Sequence, residues 1–296
     1  MGTNFVVSYR GFAITAFMVF AAWAPAISAA TFKVGSGPNC THSTVAAAVA
    51  ATEGSAGPDT VRVTRSAAYT QQAISFSVTQ EVTITGGFAD CITNVEDANY
   101  TTLSGSGVTT ATVMTISGSV GSIIHLRKLT ITGGDLASLG SLGGGIYYTG
   151  DGLLDIADSS ISNNTAAYGG GINVNGTSPA AGLNIGPDTT ISGNTALYNG
   201  GGLFSNNIET VIRGDGILIT DNYALGVTSG GNTSGGSGGG ILVRACALDS
   251  IVYLGSPGSL GLPVVYNNDA RYGGGVSVEG DACSDAKSAE LRMFST

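Results

Sequence analysis

The sequence predicts an all-β protein, specifically a right-handed single-stranded parallel β-helix with a short N-terminal capping helix. Three observations predict this fold. Hydrophobic residues alternate with a period of two from Thr60 onward, glycine accounts for 47 of the 296 residues, and a Gly-Gly-Gly-hydrophobic motif recurs in the second half of the chain. Short strands that end in Gly, Asn, Asp or Ser corners suit such a composition, whereas a protein of long helices does not.

Residues 1–30 are expected to be a signal peptide and are therefore separate from the fold. A polar start ends at Arg10, an apolar run follows, and Pro25 precedes the small residues Ser28 and Ala30. The apolar run is shorter than the ~20 residues that a membrane-spanning helix needs. We therefore expect export and cleavage after Ala30, with no transmembrane segment in the mature chain.

Residues 31–58 are predicted to form an N-terminal cap, and residues 59–296 the β-helix. Ser43 or Thr44 can cap a helix over the Ala- and Val-rich run that follows, and Pro58 ends this region. Such a helix would cover the open edge of the first strands. The segment TITGG occurs at 83–87 and again at 130–134, a separation of 47 residues that predicts two turns of about 23 residues. The last residues, 291–296, resemble the start of another strand, so the sequence is expected to end within a repeat.

The strongest repeat pairs a hydrophobic-x-x-Asn strand end with a Gly-Gly-Gly corner. The predicted corner residues are Gly143, Gly144, Gly145, Asn164, Gly169, Gly170, Gly171, Asn194, Gly200, Gly201, Gly202, Asn222, Gly238, Gly239, Gly240, Asn268, Gly273, Gly274 and Gly275. Glycine supplies positive φ at a corner without steric cost, and stacked Asn side chains can form an amide ladder. The triplets are 26 to 38 residues apart, and the largest insertion, Thr228–Ser237, is expected to be a flexible loop.

These paired motifs resemble the repeats of the polymorphic outer membrane proteins, within the pectate-lyase-like β-helix superfamily. The resemblance is close over about residues 143–276 and looser in the earlier TITGG segments. It implies a β-helical passenger at the cell surface or secreted, although nothing before the terminus shows the series of amphipathic strands of the family's membrane barrel.

Charge and cysteine content narrow the possible partners and the compartment. The net charge is −9 with only 10 % charged residues, so the chain has no electrostatic basis for binding nucleic acid or an anionic membrane. Four cysteines suggest two disulfides in an oxidising compartment, and Cys40–Cys91 with Cys246–Cys283 is the favoured pairing, free buried thiols being the alternative.

The sequence offers little for an active site. The paired carboxylates and Gly-His-Gly of inverting β-helix hydrolases are missing. Arg213 with Asp215 and Asp221 is a weak candidate for a lyase centre, and a solvated corner is the plainer interpretation. His42 and His125 lack ligand spacing and are expected to be solvated, and no cofactor or metal is expected.

The sequence therefore favours a non-enzymatic, exported protein that presents a binding or adhesive surface, with glycans or cell-surface components as possible partners. The alternative is a polysaccharide lyase or another carbohydrate-active enzyme of the same fold. A purely structural spacer is a third interpretation.

Overall fold

The computed structural model describes residues 29–93, 95–107, 111–136, 138, 140–229, 232–255, 261–280 and 287–294. It is an all-β protein, and the helix Val45–Thr52 is the single α-helix within these ranges. Almost all of the predicted signal peptide, residues 1–28, lies outside the described residues. Within the described ranges, no helix is long and apolar enough to cross a membrane.

Four long parallel sheets make up the described part of the fold, and each sheet receives its strands in chain order. Sheet 1 has nine described strands: Thr31–Val34, Asp59–Thr64, Glu81–Phe88, Ile123–Arg127, Leu153–Ala157, Gly182–Ile185, Glu209–Ile212, Ser250–Leu254 and Ala289–Met293. Sheet 2 has seven in the same ranges: Ile74–Val78, Met114–Gly118, Ile146–Gly150, Ile172–Gly176, Leu203–Asn206, Ile241–Arg244 and Val276–Glu279.

The two smaller sheets are described in the same way. Sheet 3 has six described strands: Thr101–Ser104, Leu129–Thr132, Ser160–Ser162, Thr190–Ser192, Leu218–Thr220 and Val264–Tyr266. Sheet 4 has five described strands: Asp135–Leu136, Thr165–Tyr168, Thr195–Asn199, Tyr223–Ala224 and Asp269–Ala270. From residue 114 onward the chain visits sheets 2, 1, 3 and 4 in this order, and one such visit is called a repeat below. The arrangement is compatible with a parallel β-helix or solenoid.

The hydrophobic core lies between the sheets because equivalent inward-facing residues stack on one another. Ile131, Ile161, Ile191 and Ile219 are in register in sheet 3, and all four are fully buried. The residues that follow the glycine corners behave in the same way, with Ile146, Ile172, Leu203 and Ile241 in register in sheet 2. One repeat alone could not bury these side chains, whereas a stack of repeats can.

The two TITGG segments do not occupy equivalent positions. Residues 83–85 lie in sheet 1, whereas residues 130–132 lie in sheet 3, so their separation is not a whole number of repeats. Ile131 and Ile161 are 30 residues apart, and this is the repeat length in that part of the chain. The prediction of two 23-residue turns between these segments is therefore wrong. Thr-Ile-Thr, with Ile facing inward and both Thr residues facing outward, can occur in a strand of any sheet, so its recurrence does not mark the repeat length.

The N-terminal region covers one end of the stack. Thr44 is the N-cap of the helix, since its Oγ1 accepts a hydrogen bond from the backbone N–H of Ala47 at 3.2 Å. Val45, Ala48 and Val49 are buried in the main hydrophobic cluster.

The cysteines and the inserted segment complete the architecture. The Cys40–Cys91 disulfide is confirmed. Cys246 is not a free thiol, and its predicted partner Cys283 lies outside the described residues. Part of the predicted flexible loop instead forms an antiparallel hairpin, Val227–Ser229 with Asn232–Ser234.

Candidate functional site

The outer face of sheet 1 carries a continuous row of polar side chains. Thr60, Thr83, His125, Asp155 and Asn184 are paired in register on five neighbouring strands. Outward positions alternate with the buried valine, isoleucine and leucine positions of the same strands, and neighbouring strands are about 4.8 Å apart. The fold therefore brings together polar residues that are far apart in the sequence.

His125 lies at the centre of this row, in a cluster with Glu81, Arg127 and Asp155 that we call the His125 cluster. His125 Nδ1 is 2.7 Å from Asp155 Oδ2, and Nε2 is 3.5 Å from Glu81 Oε1. The Arg127 guanidinium pairs with the same Asp155 oxygen and also donates at 2.9 Å to the Asp155 backbone carbonyl. The expectation that His125 is solvated is wrong, since its side chain is only 24 % exposed. The register places two partners beside the ring.

Asp155 is held in its ionised form by this cluster. Burial by itself raises the pKa of a carboxyl group, because a low-dielectric environment disfavours the charge. Here the hydrogen bonds from His125 and Arg127, together with the positive charge of the Arg127 guanidinium, outweigh burial and lower the pKa of Asp155 below its usual value. An ionised Asp155 orients the imidazole through Nδ1 and leaves Nε2 directed towards Glu81.

A second ion pair lies at the adjoining corner between sheets 1 and 3. Lys128 Nζ is 3.0 Å from Asp158 Oδ2, and the Tyr100 hydroxyl donates to Asp158 Oδ1 at 2.7 Å. Burial raises the pKa of Asp158, but its bonds to Tyr100 and Lys128 lower it by more. Burial and the neighbouring carboxylate raise the pKa of Tyr100 to about 12, so the phenol stays protonated. Lys128 and Asp158 both have positive φ, 51° and 45°.

Arg127, Lys128 and Asp158 border a groove of about 610 Å³ on sheet 1, called the sheet 1 groove below. The Arg62 guanidinium lies over the Phe88 ring at 5.4 Å, and Thr85 Oγ1 donates to Glu96 Oε1 at 2.9 Å. The lining residues are Thr60, Arg62, Thr83, Thr85, Phe88, Val95, Glu96, Arg127, Lys128 and Asp158. The groove therefore offers both charge signs, hydroxyl groups and an apolar wall within one strip.

The predicted corner asparagines form an amide ladder. Asn164 Nδ2 donates to Asn194 Oδ1 at 3.0 Å, Asn194 Nδ2 to Asn222 Oδ1 at 2.9 Å, and Asn222 Nδ2 to Asn268 Oδ1 at 2.9 Å. Each acceptor oxygen also receives the backbone N–H of the preceding asparagine, and Asn164, Asn194 and Asn222 are fully buried. Because the amide groups of these asparagines are used in hydrogen bonds to neighbouring repeats, these residues stabilise the scaffold and are not available to a ligand.

The three glycines of each corner meet different constraints. The first has positive φ in all five triplets, between 59° and 69°. At the third, a Cβ atom on Gly145, Gly171, Gly202 or Gly240 would lie 2.5–2.7 Å from a carbonyl oxygen of the next triplet. Such distances leave no room for any side chain, so the triplets mark tight stacking between repeats and not a ligand site.

The weak lyase candidates are not brought together into one cluster. Arg213 and Asp215 lie on the corner after a sheet 1 strand, whereas Asp221 lies beyond the next strand, Leu218–Thr220, with positive φ. Asp221 accepts hydrogen bonds from Thr220 and Asn267. None of the ion pairs in the described part of the chain joins Arg213 to either acid.

Sequence reasoning missed the His125 cluster, yet a usable signal was present. His125 and Asp155 are 30 residues apart, the same separation as Ile131 and Ile161. Aligning the repeats on these isoleucines would have placed the imidazole beside the carboxylate.

The described residues contain no group of three or more His, Cys, Asp or Glu side chains arranged to hold a metal ion. Instead, the sheet 1 groove presents hydrogen-bond donors and acceptors, and the His125–Asp155 pair lies beside it, joined to the lining residue Arg127. Comparisons of the chain with models of protein families, with curated proteins and with solved structures found no match.

Proposed function

We propose that this chain is an exported, right-handed parallel β-helix with repeats of the polymorphic outer membrane protein type, which binds a glycan in the sheet 1 groove without turning it over. It acts at the cell surface or as a secreted protein. The single observation that carries the ligand assignment is the continuous polar strip over sheet 1, with cations, carboxylates and hydroxyls above an apolar wall.

The fold supports the scaffold half of the proposal. Successive strands of each sheet are parallel and one repeat apart, so every return to a sheet is a crossover connection. Such connections are right-handed in about 98 % of cases, because a twisted strand packs back onto its sheet only in that way. The Gly-Gly-Gly corners and the Asn ladder agree with the repeat type that the sequence resembles.

Export rests on two features. Residues 1–30 have the polar start, apolar run and small-residue ending of a signal peptide. The Cys40–Cys91 disulfide fits an oxidising compartment, since disulfides are rare in the reducing cytosol.

A glycan suits the groove for reasons of chemistry. Sugars present many hydroxyl groups that both donate and accept hydrogen bonds. In the groove, the cations can donate to these hydroxyls and the carboxylates can accept from them. The repeat spacing gives the strip a fixed period along the stack, which suits a polymer better than a compact metabolite. The groove is open to solvent and is lined by residues of three neighbouring strands of sheet 1, so an extended chain can lie across them.

The experiment is binding of the mature protein to an array of neutral and acidic glycans, followed by affinity measurements on the best ligand. Arg62→Ala and Lys128→Ala should each weaken binding about tenfold or more, because a hydrogen bond to a charged group contributes roughly 1.5–3 kcal/mol. Arg213→Ala is the matched control, because Arg213 is a cation on the same edge of sheet 1 but outside the groove. Equal losses in all three variants, or none in the groove variants, would contradict the groove assignment.

A second function, a polysaccharide lyase or another carbohydrate-active enzyme, is favoured by one observation. His125 is oriented by the ionised Asp155, as a general base requires, with Glu81 on its other side. The assay is release of new reducing ends or of unsaturated uronates from the bound glycan, with and without Ca²⁺. Turnover that disappears in His125→Ala but persists in Arg213→Ala would replace the binding proposal with this one.

A further inference from the structure

The outer face of sheet 3 carries two columns of hydroxyl side chains, called the hydroxyl array below. Each of the first four described strands of this sheet ends in a hydroxyl-hydrophobic-hydroxyl triplet, whose central residue is fully buried. The first column consists of Thr102, Thr130, Ser160 and Thr190, in register from strand to strand. The second consists of Ser104, Thr132, Ser162 and Ser192. All eight residues are at least partly exposed.

The spacing of the hydroxyl array is set by strand register. No bulge interrupts these four strands, whereas sheets 1 and 4 each contain a register shift. Neighbours in a column are therefore about 4.8 Å apart, and the two hydroxyls of one strand about 6.6 Å apart, since a parallel strand rises about 3.3 Å per residue. Asn164 and Asn194 donate to the backbone carbonyls of Ile131 and Ile161, which lie between the two columns. Such side-chain ladders favour a flat sheet.

The hydroxyl array is uncharged, and most of its hydroxyls are not used within the described part of the chain. Ser104 Oγ accepts the backbone N–H of Ser106 at 3.2 Å, and no hydrogen bond between described residues involves the other seven hydroxyls. The array ends at the fifth strand, where Leu218 continues the first column and Thr220 is buried with its hydroxyl bonded to Asp221. The array is thus a bounded patch of regularly spaced hydroxyls.

A ligand of this patch must present oxygen atoms at the same regular intervals. One hydroxyl donates and accepts as water does, so by itself it does not distinguish an ordered water molecule from a liquid one. Hydroxyls at fixed spacing do, because a surface of the same period engages them all at once. Water molecules in ice repeat at closely similar intervals along two directions of its prism face. The threonine methyl groups add apolar area that is removed from liquid water on contact.

We propose that the outer face of sheet 3 binds ice through the hydroxyl array, with the two columns in register with the oxygen atoms of the crystal. The triplets offer no charged group, which would hold its own hydration water, and no aromatic ring on which a sugar could stack. Adsorbed protein hinders growth of the crystal between its points of attachment, so freezing begins below the melting temperature. This activity uses a different sheet from the sheet 1 groove and does not depend on glycan binding.

The test is thermal hysteresis, the difference between the melting and freezing temperatures of a single ice crystal, together with uptake of the purified protein into slowly grown ice. Ser162→Lys places a long charged side chain inside the array and should lower both at least about tenfold, because the hydroxyls can no longer engage ice together. Ser117→Lys is the matched control. Ser117 faces outward on sheet 2, where paired aliphatic hydroxyls occupy only two strands, since Tyr147 follows Thr115 in register.

The control should leave hysteresis and uptake unchanged, and both lysine variants should keep the unfolding midpoint of the original chain within a few degrees, since outward-facing substitutions cost little. Leu218→Thr provides a gain that misfolding cannot mimic. Leu218 is in register with Thr190, so threonine there extends the first column onto a fifth strand and should increase hysteresis.

The proposal is overturned if the original chain shows neither hysteresis nor uptake into ice, if Ser117→Lys loses as much as Ser162→Lys, or if Leu218→Thr gives no gain. A crystalline glycan is the other lattice that such a face could meet. Binding to crystalline cellulose or chitin that Ser162→Lys abolishes, with ice growth unaffected by the original chain, would make the face a glycan surface and would also overturn the proposal.

Discussion

Replacing Asn194 with alanine tests whether the amide ladder holds the repeats together. Four hydrogen bonds depend on this side chain. Its Oδ1 accepts from the backbone N–H and the Nδ2 of Asn164, both at 3.0 Å, and its Nδ2 donates to Ile161 O and Asn222 Oδ1, both at 2.9 Å. The residue is fully buried, so water cannot replace the lost partners without opening the stack.

The expected loss in the free energy of unfolding is about 3–4 kcal/mol. Each hydrogen bond contributes a net of roughly 0.5–1.5 kcal/mol, and these contributions are not additive. The backbone N–H of Asn164, left buried without an acceptor, costs about 1–3 kcal/mol more. Asn268→Ala is the matched control. Asn268 also makes four hydrogen bonds, but it is only half-buried, so solvation should limit its loss to about 1 kcal/mol.

Urea unfolding followed by circular dichroism measures both variants, and hydrogen exchange at the Asn164 backbone N–H provides a local readout. Exchange at Asn164 should accelerate in Asn194→Ala and stay slow in Asn268→Ala. A loss below about 1 kcal/mol for Asn194→Ala would refute the view that the ladder is a principal tie between repeats. An equal loss for the two variants would instead show that burial does not set the cost.

Three further predictions concern other parts of the scaffold. The folded-state pKa of Asp155 is below its usual value, so ionised Asp155 stabilises the folded protein above the usual carboxyl pKa, and this stabilisation is lost as pH falls through the folded pKa. Asp155→Asn should therefore lower the free energy of unfolding at neutral pH but hardly at all in acid. A loss that is constant across pH would contradict this. Tyr148 is fully buried with no well-formed hydrogen bond to its hydroxyl, so Tyr148→Phe should change the free energy of unfolding by less than about 1 kcal/mol. Tyr148→Ala should lower it by about 3–5 kcal/mol. A large loss in Tyr148→Phe would reveal a hydrogen-bond partner of the hydroxyl. Replacing Cys40 and Cys91 together by serine should cost about 4 kcal/mol in denaturant unfolding, since the disulfide closes a separation of 51 residues, and an unchanged midpoint would show that the cap is held by packing alone.

The corners of the fold were predictable because their chemistry is local. Short motifs in the sequence identify these residues. Examples are Gly169, a corner glycine with positive φ, and Asn164, the fourth residue of a hydrophobic-x-x-Asn motif. Side chains that follow the glycines, such as Ile172, could be placed in the core for the same reason.

The candidate site was not predictable from local sequence because its parts meet only through register. His125 and Glu81 are 44 residues apart in the chain but lie on neighbouring strands, and the insertions between repeats hide that correspondence. The loop carrying Val95 and Glu96 follows the sheet 1 strand Glu81–Phe88 and lines the groove, and no periodicity marks it. Sequence motifs therefore located the scaffold, while the site required the pairing of strands.

Parallel stacking also explains why inward-facing and outward-facing residues can vary independently of each other. An inward-facing residue such as Ile161 contacts the residues above and below it as well as the opposite sheets, so its size is constrained by several repeats at once. Outward-facing residues such as His125 contact side chains on their own and the neighbouring strands of a single sheet. A change of ligand therefore requires exchange of side chains within one outward row, with the glycine corners and the Asn ladder left intact. In this chain the outward row changes from the paired His125 and Asp155 at its centre to Asn184 and Val211 on the next two strands. The proposed binding groove lies on the N-terminal side of this change, where its lining residues belong to the sheet 1 strands up to Ile123–Arg127 and the adjoining segments.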